Sequence, residues 1–130
     1  MSAIRIDPIV RRGGPILTPD TPIRRAVALL IEARAAAAVV LADDGSLAGI
    51  VTQKDCFKPA LHASYHQEWR GCVIDHMSHN AITVDANNEI IRVAEMFIKH
   101  SHRVFPVRDG ESIVGLLYRS DVLRVLTQIG

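Results

Sequence analysis

The sequence predicts an α+β fold made of two copies of a β-α-β-β-α unit, and three observations carry that prediction. The stretch Gly49-Ile50-Val51-Thr52-Gln53-Lys54-Asp55 returns 66 residues later as Gly115-Leu116-Leu117-Tyr118-Arg119-Ser120-Asp121. The apolar stripe Ile23, Ala26, Val27, Leu30, Ile31 returns 67 residues later as Ile90, Val93, Ala94, Phe97, Ile98. Both stripes follow the i, i+3, i+4, i+7, i+8 spacing of an amphipathic helix, with Arg24, Arg25 and Glu32 off the first. Each helix is followed by two short apolar runs about a turn: residues 36–41 and 47–51 around Asp43-Asp44-Gly45, then 104–107 and 113–117 around Asp109-Gly110. A fixed period of this length marks an internal repeat.

Taken in order, residues 1–15 form a lead-in without sustained period, broken by Gly13-Gly14-Pro15 and holding a short helical turn over residues 6–10. Ile16-Leu17-Thr18 is a strand. Thr21 is placed as an N-cap, with Pro22 at the first helical position, where its missing N–H costs nothing. After Asp55 a helix, interrupted or restarted at Pro59, is expected to run through Leu61, Tyr65 and Trp69 to Gly71. Val73-Ile74-Asp75-His76-Met77 echoes Arg5-Ile6-Asp7-Pro8-Ile9, and Ile82-Thr83-Val84 echoes the first strand. A closing helix covers residues 121–126. The expected division is therefore a lead-in (1–15), a first repeat with its linker helix (16–71) and a second repeat (72–130). The change of spacing from 67 to 66 requires one extra residue in the first repeat between helix and glycine, placed at the hairpin turn, where insertions cost least. One small sheet with two helices buries little, so the two sheets are expected to pack together across a pseudo-twofold axis.

Composition narrows the function. Of 130 residues, 48% are hydrophobic and 22% charged, as in a folded globular chain. Lys plus Arg number 15 against 14 Asp plus Glu, so no basic footprint of a nucleic-acid binder is expected. The longest uncharged apolar run is far too short to span a bilayer, and the N-terminus lacks a secretory pattern. Cys56 and Cys72 make neither a metal spacing nor a disulfide framework, which leads to reduced thiols and a cytoplasmic location as expectations. His62 with His66, and His100 with His102, have no acid or cysteine at a ligand spacing, so no metal site is assigned. Cys56 reads as a packed cysteine ahead of a redox-sensing thiol.

The repeated turn carries the chemistry. An aspartate at a helix start accepts hydrogen bonds from both hydroxyls of a ribose. A threonine hydroxyl and nearby backbone N–H groups donate to a phosphate, and apolar strands hold a purine. The plainer role of Asp55 and Asp121 is to cap a helix, and the two roles are compatible. With the Asp75-His76-Met77 opening, the amphipathic helix, the Arg103-Val104-Phe105-Pro106-Val107 strand and the doubled glycine-to-aspartate turn, the chain resembles a tandem CBS-domain pair (cystathionine-β-synthase domains, a Bateman module) from about Ile6 onward. That resemblance implies an adenosine-containing ligand, AMP, ADP, ATP, NAD or S-adenosylmethionine, bound between the repeats, and a homodimer formed through helices. Carried over residue by residue, it implies a first cleft of Thr52 and Asp55 with Ile82, Thr83 and Val104 around the base and Arg103 on the phosphate. It implies a second cleft of Asp121 with Thr18 and Val39.

The second copy departs from the pattern. Tyr118 stands where Ser or Thr is usual and can fill, stack on or hydrogen-bond within the space of a phosphate. Ala37, taken as the counterpart of Arg103, brings no charge. The first cleft is thus expected to be the better nucleotide site. The leading function is an adenine-nucleotide-binding regulatory module acting on an unknown effector protein. The alternative is a structural dimerisation or protein-interaction module with degenerate sites. No Ser-His-Asp order, metal cluster or phosphate loop supports an enzyme.

Overall fold

The computed structural model describes residues 4–130, so Met1 and its two neighbours in the expected lead-in lie outside the described residues. Among the described residues, four α-helices and two three-stranded sheets follow in the order β1 (Ile16–Leu17), α1 (Ile23–Glu32), β2 (Ala37–Leu41), β3 (Leu47–Thr52), α2 (Phe57–His66), β4 (Val84–Asp85), α3 (Ile90–Lys99), β5 (Val104–Asp109), β6 (Ser112–Tyr118) and α4 (Arg119–Ile129). The α+β class and the doubled β-α-β-β-α order are therefore as expected. In each sheet a parallel pair joins the short first strand to the second, and an antiparallel hairpin adds the third. Among the described residues no helix is long and apolar enough to cross a membrane.

The described residues form two compact units, one of residues 14–81 and one of residues 4–13 with 82–130. In the 14–81 unit, β1, β2 and β3 bury Leu17, Ala38, Val40 and Val51 against Ile23, Ala26 and Leu30 of α1, with Val73 and Met77 completing the core. In the other unit Val84, Phe105, Val107 and Leu117 pack on Ile90, Val93 and Phe97 of α3 and Val122 of α4, with Ile6 and Val10 closing it. Phe97 and Phe105 stack at 4.1 Å. The fifth position of each sequence stripe turns outward, Ile31 and Ile98 both being exposed.

The short segments outside the repeated order explain the glycines. Residue 78 pairs with Ile50 and residue 11 with Leu116, each by two backbone hydrogen bonds of 2.8–3.1 Å. Gly49 and Gly115 therefore lie inside the strands expected over residues 47–51 and 113–117, ahead of the turn that each was also read as leading. A Cβ at Gly49 would drive into the Ser78 carbonyl oxygen, and one at Gly115 into that of Arg11. The echo between the lead-in segments is correspondingly one residue out of the expected register: Ile6 matches Val73, Val10 matches Met77 and Arg11 matches Ser78. Burial decides this register, since Val73 is fully buried while Ile74 is exposed.

The length difference falls where the sequence places it. Leu41 pairs with Leu47 across five intervening residues, whereas Arg108 pairs with Ile113 across four. Other expectations shift. Thr21 does not cap α1; its hydroxyl accepts the Thr18 N–H at 3.0 Å, and the helix begins after Pro22 without a side-chain cap. The helix after Asp55 passes Pro59 unbroken, because a first-turn proline loses no intrahelical bond, and ends at His66 where Gln67 turns left-handed (φ 57°). Ile82 and Thr83 lie outside β4, and α4 starts at Arg119.

Candidate functional site

In the 14–81 unit, β3 ends on Thr52 and a 3-10 turn (Lys54–Cys56) follows directly, which brings Thr52 and Asp55 together. The Thr52 N–H donates to Asp55 Oδ2 at 2.9 Å, and the Asp55 N–H donates to Thr52 Oγ1 at 3.2 Å. This is the reciprocal pattern of a capping box. It consumes one carboxylate oxygen. Among the described residues nothing is hydrogen-bonded to Asp55 Oδ1, and the Thr52 hydroxyl, acting here as acceptor, keeps its proton to donate. Both side chains are half-buried. The capping role is thus real and leaves an acceptor and a donor side by side, the pair a vicinal diol or a phosphate needs.

The same turn in the other unit is differently occupied. Asp121 is buried, its side chain 9% exposed, and Arg11 holds it with two parallel bonds: Nε donates to Oδ2 at 2.8 Å and Nη2 to Oδ1 at 3.0 Å. Arg124 approaches Oδ1 at 3.5 Å. The Arg11 guanidinium also lies 4.5 Å from the centre of the Tyr118 ring. Hydrogen bonding to Asp121 raises the Arg11 pKa above its ordinary value, outweighing the lowering effect of burial, and the charges of Asp121 and Tyr118 add to the rise.

The remaining expected residues are placed as follows. Val104 is buried in β5 opposite Tyr118, and exposed Arg103 precedes it, its carbonyl accepting the Arg119 N–H at 2.9 Å. Arg103, Val104, Tyr118 and Asp121 thus share one end of one sheet. In the other unit the matching bond runs from the Gln53 N–H to the Ala36 carbonyl, also 2.9 Å, and Ala37 pairs with Thr52. The counterpart of Arg103 is therefore Ala36, one residue before the expected Ala37, and it is equally uncharged. Ile82 and Thr83 are half-buried, Val39 is buried within β2, and Thr18 is exposed with its hydroxyl donating to Asp20 at 2.6 Å. Arg11 is the residue that sequence reasoning missed. Its signal was the glycine pair, which fixes the register that sets Arg11 against Ser78.

A family model described as the CBS domain matches the chain twice, over residues 4–61 and 73–128. The chain belongs to the CBS-domain family. It carries two CBS repeats in tandem, and solved structures share the fold. CBSX2 in complex with AMP is 22% identical, with a TM-score of 0.79 covering 97% of this chain and 98% of that one. CBSX2 from Arabidopsis thaliana gives 21% identity and a TM-score of 0.80 over 98% and 97%. The CBS pair of protein MJ0100, in complex with 5'-methylthioadenosine and S-adenosyl-L-methionine, gives 20% and 0.80 over 99% and 100%. At such identities the likeness establishes the fold. No curated protein matches the chain by sequence.

Among the described residues no three His, Cys, Asp or Glu side chains gather as a metal would require. Cys56 and Cys72 are free thiols, and burial, followed by the charge of Asp55, pushes the Cys56 pKa up. An activated thiol needs the opposite shift.

Proposed function

We propose that this CBS pair is a regulatory module that binds an adenosine-containing ligand through Thr52 and Asp55. The observation that carries the proposal is the half-used carboxylate: Asp55 Oδ2 caps the turn while Oδ1 has no partner among the described residues. Two tandem CBS proteins of the same fold supply the ligand class, one in complex with AMP and one with methylthioadenosine and S-adenosylmethionine. In this reading Asp55 takes the ribose, Thr52 meets phosphate, and no catalytic step is assigned. A ligand regulates only if it favours one arrangement of the protein over another, so ligand binding is expected to alter subunit or effector association.

Calorimetry with AMP, ATP, NAD and S-adenosylmethionine tests this. At least one should bind at sub-millimolar concentration, and Asp55→Ala should weaken it about tenfold or more, one charge-assisted hydrogen bond being worth roughly 1.5–3 kcal/mol. Absence of binding by all four, or equal binding by the variant, ends the proposal.

A second reading, a protein-interaction or homodimer module, is favoured by the exposed apolar side chains Ile31, Phe57 and Leu61 on α1 and α2. Sedimentation across protein concentration distinguishes a dimer, with or without ligand, from a monomer.

A further inference from the structure

The two copies of the glycine-to-aspartate turn differ most in what their carboxylates already hold. Asp55 spends one oxygen on its own cap. Asp121 spends both on Arg11, a residue 110 positions away in the chain. A planar guanidinium fills the acceptor directions of a carboxylate in the same bidentate manner as two adjacent hydroxyls, and more strongly because both partners are charged. The arginine is held in place at its backbone, while its side chain stays 58% exposed. Its backbone is clamped to Leu116 by bonds of 2.9 and 3.0 Å, Gly115 gives it room, and the Tyr118 ring lies 4.5 Å beneath its guanidinium. At the matching place the other unit carries Ser78, too short to reach a carboxylate in this way and uncharged.

We propose that Arg11 is a built-in occupant of the second turn: it closes Asp121 to diol-bearing ligands and leaves the chain with one competent site, at Asp55. This rests on the reading of Asp55 given above, and it assigns the departure from twofold behaviour to a single side chain of the lead-in segment. The aromatic residue at position 118 belongs to the same device, since it supports the guanidinium where a threonine in the other copy offers a hydroxyl.

Calorimetric stoichiometry with AMP, and separately with S-adenosylmethionine, reads the proposal out. The parent should bind one equivalent per chain and Asp55→Ala none. Arg11→Ser, which installs the residue found at position 78, should bind two, and the Arg11→Ser/Asp55→Ala double variant one. Binding by the parent with no gain in Arg11→Ser overturns the built-in occupant and leaves the Asp55 reading standing. A gain in Arg11→Ser with a parent indifferent to Asp55→Ala supports the occupant and overturns the Asp55 reading. Should Arg11→Ser fail to fold, the native protein decides by nitrogen-15 NMR. The Arg11 Nε–H should exchange slowly and stay in place while the Asp55 amide moves with added AMP. An Arg11 signal that exchanges as fast as a free side chain, or that moves in step with Asp55, overturns the proposal.

Discussion

Replacing Gly115 with alanine should loosen the lead-in segment from its sheet and release Asp121 in the same step. Gly115 sits inside β6 with a negative φ, so what alanine lacks there is space rather than backbone freedom. Its Cβ would meet the Arg11 carbonyl oxygen well inside van der Waals contact, with Val10 Cγ1 at 3.0 Å and the Arg11 carbonyl carbon at 3.1 Å. The nearest obstruction is the Arg11 backbone carbonyl rather than a flexible side chain, so relief requires the 10–11 segment to retreat. Retreat weakens the two Arg11–Leu116 backbone bonds, each worth about 0.5–1.5 kcal/mol. It also partly uncovers Val10, whose full burial is worth about 1.5–3 kcal/mol. The Arg11–Asp121 pair adds only about 1 kcal/mol, because the arginine is 58% exposed and screened. Alanine recovers roughly 0.5–1 kcal/mol of strand preference over glycine. The net loss should be about 2–4 kcal/mol, a large share of the 5–15 kcal/mol typical of a domain. Urea unfolding measures it, with Gly14→Ala as control, since a Cβ there has open space and no positive φ to strain. A loss below about 0.5 kcal/mol in Gly115→Ala would refute the crossing as the reason for the glycine.

Two further predictions concern the site. Thr52→Val should weaken AMP more than adenosine, because the Thr52 hydroxyl proton, left over by the cap, can reward only the phosphate; about three- to tenfold is expected for one hydrogen bond, and equal losses for both ligands would remove the Thr52 hydroxyl from phosphate contact. Cys56 should be the slower thiol. Burial and the Asp55 charge raise its pKa in the folded state, so its neutral form is favoured and any stability this confers is lost as pH rises through the raised value. Near pH 8, iodoacetamide should label Cys72 at least about tenfold faster, read by mass spectrometry, and equal rates would contradict the packing of Cys56.

What was legible in the sequence was whatever repeats locally. The helix stripes, the hairpins, the extra residue in the first hairpin and the Thr52–Asp55 turn all depend on neighbours within a few positions, and period alone displays them. The failures have a common cause. Thr21 has the chemistry of an N-cap, but the nearby Thr18 N–H competes for its hydroxyl and the helix starts later. Ile31 and Ile98 keep the helical period without burial, because a stripe five residues wide exceeds the face that one small sheet can cover. Gly49 and Gly115 look like turn glycines only until the crossing backbone is known.

Arg11 shows where local inference ends. Its partner is set by a bridge to Leu116, and that bridge is set by space at Gly115, so three residues from opposite ends of the chain must be read together. The Asp7–Asp75 echo, the most visible match between the lead-ins, misaligns them by one and pairs Arg11 with His79 instead of Ser78. A serine at the matching place is what makes the contrast chemical: matching backbone crossings carry a forked cation, paired with Asp121, in one unit and an uncharged hydroxymethyl group in the other. Duplication therefore preserved the scaffold, glycine and crossing strand included, while one side chain on the crossing segment separated the two aspartates, leaving Asp121 neutralised within its own unit and Asp55 with an acceptor oxygen still open.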